Sequence, residues 1–194
     1  MLVAYAFACL YPSAVERLVL MEAPIPGTRT YERVLATTRY STAKLWHFHF
    51  HGAPDNAAES LIAGHEHVYL RSFYSKLSAN PDAIPLLEAQ RYVADYMAPG
   101  AMRAGLELFR AFEKDAEDNI RSIQQNGKLR MPVLGLGGTA SFFLPVAQEM
   151  LSEVAEDVVV RPIEDSGHWI AEEQPELLLR RLREFMHKDE RVAN

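Results

Sequence analysis

Three short apolar runs, and what separates them, set the strongest limit on how this chain can fold. They are Val15–Met21 (VERLVLM), Met131–Gly138 (MPVLGLGG) and the β-branched triplet Val158–Val160. Each is bounded by turn residues and reads as a buried strand. The first ends at Glu22 and runs into Ala-Pro-Ile-Pro-Gly at 23–27, which breaks regular structure. From Thr28 to about Asn126 the pattern is helical, rich in Tyr and Phe, with no convincing strand, until Gly127 and Pro132 close it. The second run leads into a helix through Met150. Strands alternating with helices imply an α/β fold with a parallel sheet and right-handed crossovers. The expected organisation is a core of residues 1–27 and 127–194, interrupted by a helical subdomain at 28–126. Three parallel strands are few for a sheet that must be covered on both faces. The pattern therefore reads as the second half of a larger sheet.

The third run opens the stretch with the most chemistry, VVVRPIEDSGHWIAEEQ at 158–174. The strand runs into Pro162 and a turn at Glu164–Gly167; His168 and Trp169 follow, and acidic residues open an amphipathic Leu/Arg helix to about Met186. A His just past the C-terminal end of a parallel strand lies where open α/β sheets keep their reactive groups. Gly167 lets the backbone turn sharply there, so that the imidazole can point across the sheet edge.

At 194 residues, the chain is one domain, or one with an inserted subdomain, and can bury a sizeable core. A hydrophobic content of 48% and a net charge of −6 describe a soluble globular protein. There is no basic block for nucleic acid, and the acidic balance argues against an anionic membrane surface. Cys9 is the only cysteine, so an internal disulfide is impossible and a reducing, cytoplasmic setting is expected. The opening MLVAYAFACLYP has no Lys or Arg before its short apolar run, and Tyr11-Pro12 ends it. It reads as a buried helix over 1–10 and not as a targeting signal.

Six segments together resemble one family: MLVAYAFACLYPSAVERLVLMEAPIPG, LWHFHF, SLIAGHE, AMRAGLELFRAF, MPVLGLGG and DSGHWIAEEQPE, in family order over nearly the whole chain. Any one alone is weak, but in this sequence they resemble the α/β-hydrolase epoxide hydrolases from just after the nucleophile elbow to the C-terminus. The resemblance implies a truncated α/β-hydrolase fold, with three parallel strands, flanking helices and an inserted helical cap. It implies chemistry without a cofactor. An Asp on a G-x-D-x-G-G elbow opens the epoxide to an ester, and a His with an acidic partner activates the water that hydrolyses it. By match of motif, His168 is that base, Glu22 is the acid that orients it, and His47 is a cap donor to the epoxide oxygen, with Trp46 and Phe109 as substrate contacts. Glu22 has independent support: the other usual place for the acid reads Thr139-Ala140-Ser141 and offers no carboxylate. A carboxylate is needed to fix the imidazole tautomer and stabilise the imidazolium.

Two departures limit what carries over. The elbow Asp would fall just before Met1, and nothing in the chain replaces it, so the 194 residues are expected to be inactive alone. The family's cap tyrosine would fall at Leu108 or Phe109, both apolar. A lost oxyanion-type donor costs roughly 2.7–4 kcal/mol, and Tyr92 and Tyr96 are the hydroxyls considered as substitutes. The stretch His51-Gly52-Ala53-Pro54 imitates the family's H-G-x-P motif, but it lies inside the cap and is read as coincidence. A rival reading starts from the imidazoles at His47, His49, His51, His65 and His67, which suit Zn, Cu or Ni. On a helix only His47 and His51 share a face, and no metal site is expected. The expected partner is a small apolar molecule, an epoxide or a halide. A haloacid-type dehalogenase of the same fold and a non-catalytic pseudoenzyme are the alternatives. With its first strand at an open edge, the chain is expected to form a homodimer through that edge or to aggregate.

Overall fold

The computed structural model describes residues 1–37 and 45–187. Residues 38–44 of the expected helical stretch and 188–194 at the end lie outside the described residues. Three strands form one parallel sheet in the order β1-β2-β3: β1 (Leu18–Met21), β2 (Val133–Gly138) and β3 (Val158–Ile163). Leu18 pairs with Val133 and Val133 with Val158, so the C-terminal ends of the three strands come together.

The period-2 alternation of strands sorts side chains onto two faces. Leu18, Leu20 and Val133 pack on one side with Tyr5, Phe143, Met150 and Leu151, which belong to or adjoin helices α1 (Leu2–Leu10) and α9 (Leu144–Val154). Leu134, Leu136 and Ile163 pack on the other with Leu178 and Phe185 of helix α11 (Pro175–Met186). β2 is buried at every position, as a central strand covered on both faces must be. Its Gly135 leaves the space that the Leu151 side chain fills, since a Cβ there would sit 2.6 Å from Leu151 Cδ1.

Several boundaries differ from the sequence reading: β1 begins at Leu18 and not Val15, and β2 at Val133 and not Met131. β3 continues through Pro162 to Ile163, because an edge strand tolerates a residue with no N–H to give. The C-terminal amphipathic stretch is two helices, α10 (Ile170–Glu173) and α11, and not one. Pro175 has no N–H to continue α10 and pushes Gln174 out of helical geometry, to φ −140° and ψ 56°.

Between β1 and β2, every regular element among the described residues is helical: α2 (Arg29–Ala36), α3 (Trp46–His51), α4 (Ala57–Ile62), α5 (Glu66–Leu77), α6 (Leu86–Met97), α7 (Ala101–Arg110) and α8 (Phe112–Asn126). α8 lies against the Pro-rich exit from β1. Asn119 Nδ2 donates to Pro26 O at 2.9 Å, and Gly27, at φ +85°, passes so near Ala116 that a Cβ would meet its carbonyl oxygen at 2.6 Å. Among the described residues no helix is long and apolar enough to cross a membrane.

Candidate active site

Glu22 follows β1 with φ +51°, a conformation uncommon for a residue with a side chain. This turn folds its carboxylate back under the sheet edge, where it is 7% exposed. Oε1 accepts the Gly138 N–H at the end of β2 (2.8 Å), and Oε2 lies 3.0 Å from His168 Nδ1 on the loop after β3. One carboxylate thus ties together the ends of all three strands. An ionised carboxylate can only accept, so it holds the proton on Nδ1 and leaves the His168 Nε2 lone pair free.

The His168 loop is fixed from its other side by α5 and the turn that follows it. The His168 backbone N–H donates to Leu77 O at 2.8 Å. Gly167 is pressed so close that a Cβ would sit 2.1 Å from Leu77 O and 2.8 Å from Ala79 N. Glu173 locks the joint. Its Oε1 accepts from Ala79 N and Asn80 N at 2.6 and 3.2 Å, and its Oε2 from Gly167 N at 2.7 Å. Trp169 adds an N–H bond to Phe73 O at 3.3 Å.

A cavity of about 380 Å³ opens between this loop and helices α3, α5, α6 and α7. His168, His47, His51, Tyr69, Phe73 and Phe109 are among its lining residues. His47 and His51 stand four residues apart on α3 and share its inward face, each 8% exposed, with ring centroids 5.4 Å apart. Burial among aromatic rings disfavours the charged imidazolium, and holds His47 down at about 3 and His51 at about 4. For His47, the neighbouring His51 and His168 add to the effect of burial. Both rings are neutral at pH 7.

The sequence comparisons agree with this architecture. The chain is 29% identical over 182 residues to the soluble epoxide hydrolase of Corynebacterium sp. strain C12, covering 91% of itself and 60% of that protein. It is 24% identical to epoxide hydrolase 1 of Caenorhabditis elegans over 96% of its own length and 46% of the relative's. Among solved structures, Cfl2 of Burkholderia cenocepacia superposes at a TM-score of 0.85 with 39% identity, over 95% of this chain and 61% of that one. The epoxide hydrolase CorEH superposes at 0.79 with 25% identity, over 93% and 62%. The fold is that of the α/β hydrolases, and the chain is epoxide hydrolase-like. No family model matches the chain. It spans about half to three fifths of the length of the curated relatives it matches.

Of the residues singled out from its sequence, this epoxide hydrolase-like chain brings Glu22 and His168 into direct contact. It places His47, Phe109, Tyr92 and Tyr96 around the same cavity as His168. Trp46 is not among the lining residues; it stacks outside on Phe73, with ring centroids 5.8 Å apart, and is 36% exposed. Residue 46 lies one position from His47 on a helix, so the two cannot share a face. Tyr92 bonds weakly to Glu172 at 3.4 Å. The histidines diverge: His49, His65 and His67 are exposed, and no three metal-ligating side chains gather among the described residues. Sequence reasoning missed Tyr69, whose hydroxyl lies 2.5 Å from His51 Nε2, and the clamp by Glu173. The helical spacing of His47 and His51 was a signal for the second imidazole. Nothing in the sequence pointed to Tyr69.

Proposed function

We propose that this chain carries the water-activating half of an epoxide hydrolase site. His168 acts as the general base, Glu22 orients it, and His47 donates to the epoxide oxygen as the ring opens. The observation that supports this most is the Glu22–His168 contact at 3.0 Å, with Glu22 anchored by Gly138 and His168 lining the cavity. A general base must lie within hydrogen-bond reach of its orienting group, and its free nitrogen must face the space that substrate and water occupy. A neutral His47 can donate one N–H to a developing alkoxide without the charge that burial disfavours.

The cavity also limits the substrate. Its walls are mostly aromatic and aliphatic, no Lys or Arg lines it among the described residues, and Asp95 and Glu172 sit on its rim as exposed carboxylates. A small, neutral, apolar epoxide fits that chemistry better than an anionic one. Catalysis through an ester needs a carboxylate nucleophile. The two lining acids, on helices α6 and α10, are not on a strand-to-helix elbow. The 194 residues by themselves are therefore expected to turn over no aryl epoxide. Diol formation by the purified chain that disappears in His168→Ala would contradict this division of labour.

A further inference from the structure

Tyr69 and His51 face each other across the cavity wall, and the bond between them leaves one proton to spare. The hydroxyl oxygen and Nε2 are 2.5 Å apart. His51 is neutral, held at about 4 by burial, and burial pushes the Tyr69 phenol far above its ordinary value. The pair therefore carries two protons, one on the imidazole and one on the phenol, and only one of them lies between the two atoms. There are two arrangements. If the phenol donates to Nε2, the imidazole proton sits on Nδ1. If Nε2–H donates to the phenol oxygen, the phenol keeps its own O–H free and Nδ1 is a bare acceptor.

The surroundings of Nδ1 decide between them. Nδ1 is buried and has no hydrogen-bond partner in the structure. A buried N–H donor left without an acceptor is among the costliest polar defects, and an under-satisfied acceptor is more easily borne. The Phe109 ring, with its centroid 4.4 Å from that of His51, covers the imidazole with a surface that offers no lone pair. We infer that Nε2 carries the His51 proton and donates it to Tyr69, so that the Tyr69 O–H points its spare proton at an oxygen acceptor held in the cavity. Both residues line that cavity together with His47 and His168.

Tyr69 thereby becomes a second oxygen-directed donor beside His47, on α5 and not at the α7 positions Leu108 and Phe109. The same arrangement assigns His51 as a positioning residue, because it sets which way the phenol proton points. That the bound oxygen belongs to an epoxide rests on the function proposed above; the direction of the proton does not.

The test has two arms. Two-bond ¹H–¹⁵N NMR correlation on the full chain at pH 7 reads directly which nitrogen of His51 is protonated. The expected result is the Nε2–H tautomer, and an Nδ1–H tautomer overturns the inference. The second arm compares two neutral ligands of one shape, acetophenone and α-methylstyrene, by quenching of tryptophan fluorescence. Wild type should bind the ketone more tightly by about fivefold, the effect of one net hydrogen bond. Tyr69→Phe should lose that preference while binding α-methylstyrene as before, which also shows that the variant is folded. An undiminished ketone preference in Tyr69→Phe overturns the inference. So does a wild type that shows no preference, whether it binds both ligands equally or neither. Neither arm involves turnover, so failure of the epoxide chemistry leaves both results readable.

Discussion

His47 and His51 couple the chemistry of the cavity to the stability of the fold. In the unfolded chain each takes up a proton as pH falls through about 6.5; in the folded chain they resist until about 3 and about 4. A folded pKa below the unfolded one means that the unfolded state binds more protons in between. Stability from these groups is thus complete above pH 6.5 and is lost as pH falls toward about 4 for His51 and about 3 for His47, at up to about 1.4 kcal/mol per pH unit for each ring. Urea midpoints should fall from pH 7 to pH 5 in wild type, and fall less in His47→Phe, which keeps an aromatic ring in the cluster. Equal falls in the two proteins would mean that the buried ring is not the neutral one described. The roles of these residues were unequally legible. The i, i+4 spacing of His47 and His51 predicts a shared face once the segment is helical. The partnership of His51 with Tyr69 depends on how α3 packs on α5, which no local pattern encodes.

At the level of elements, the joint between the β3–α10 loop and the end of α5 carries His168. Gly167 and Glu173 make that joint, through close approach and three accepted N–H bonds. Gly167→Ala places a methyl group 2.1 Å from a backbone oxygen, and neither segment can retreat without moving the imidazole. A cost of about 3 kcal/mol is expected, at the upper end of overpacking. Gly64→Ala is a useful contrast: Gly64 has φ +79° but open space around it, so only the left-handed backbone penalty of about 1 kcal/mol applies. Chemical unfolding of both variants checks the order; a Gly64 variant less stable than the Gly167 variant would contradict the account. The strands and the turn at Gly167 were readable from β-branched runs and turn residues. The passage of β3 through Pro162 was not, because it depends on β3 being an edge strand, a property of the sheet as a whole. The break at Gln174 was readable in principle from Pro175, but the amphipathic pattern on either side concealed it.

For the whole molecule, one face lacks cover among the described residues. β1 pairs only with β2, and beside it α1 exposes Val3 at 78% and Leu10 at 71%. An open strand edge next to an apolar helix is a surface that associates. Light scattering across a concentration series should show dimers or larger species; a cooperative monomer at high concentration would contradict this. The sheet and the helical stretch followed from short-range periodicity, whereas the pairing of Glu22 with His168 came from the family resemblance. The cavity could not be foreseen, because its walls come from four helices whose mutual packing is set by long-range contacts. In the proposed function, His168 activates water on an ester made elsewhere in the site. This role is tested most directly in a chimera in which this chain replaces the matching 182-residue region of the Corynebacterium enzyme. The wild-type chimera should convert an aryl epoxide to its diol. With His168→Ala it should instead accumulate a covalent adduct of protein and epoxide, seen by intact mass spectrometry. Undiminished diol release by the His168→Ala chimera, or no adduct in it when the wild-type chimera is active, would contradict the assignment.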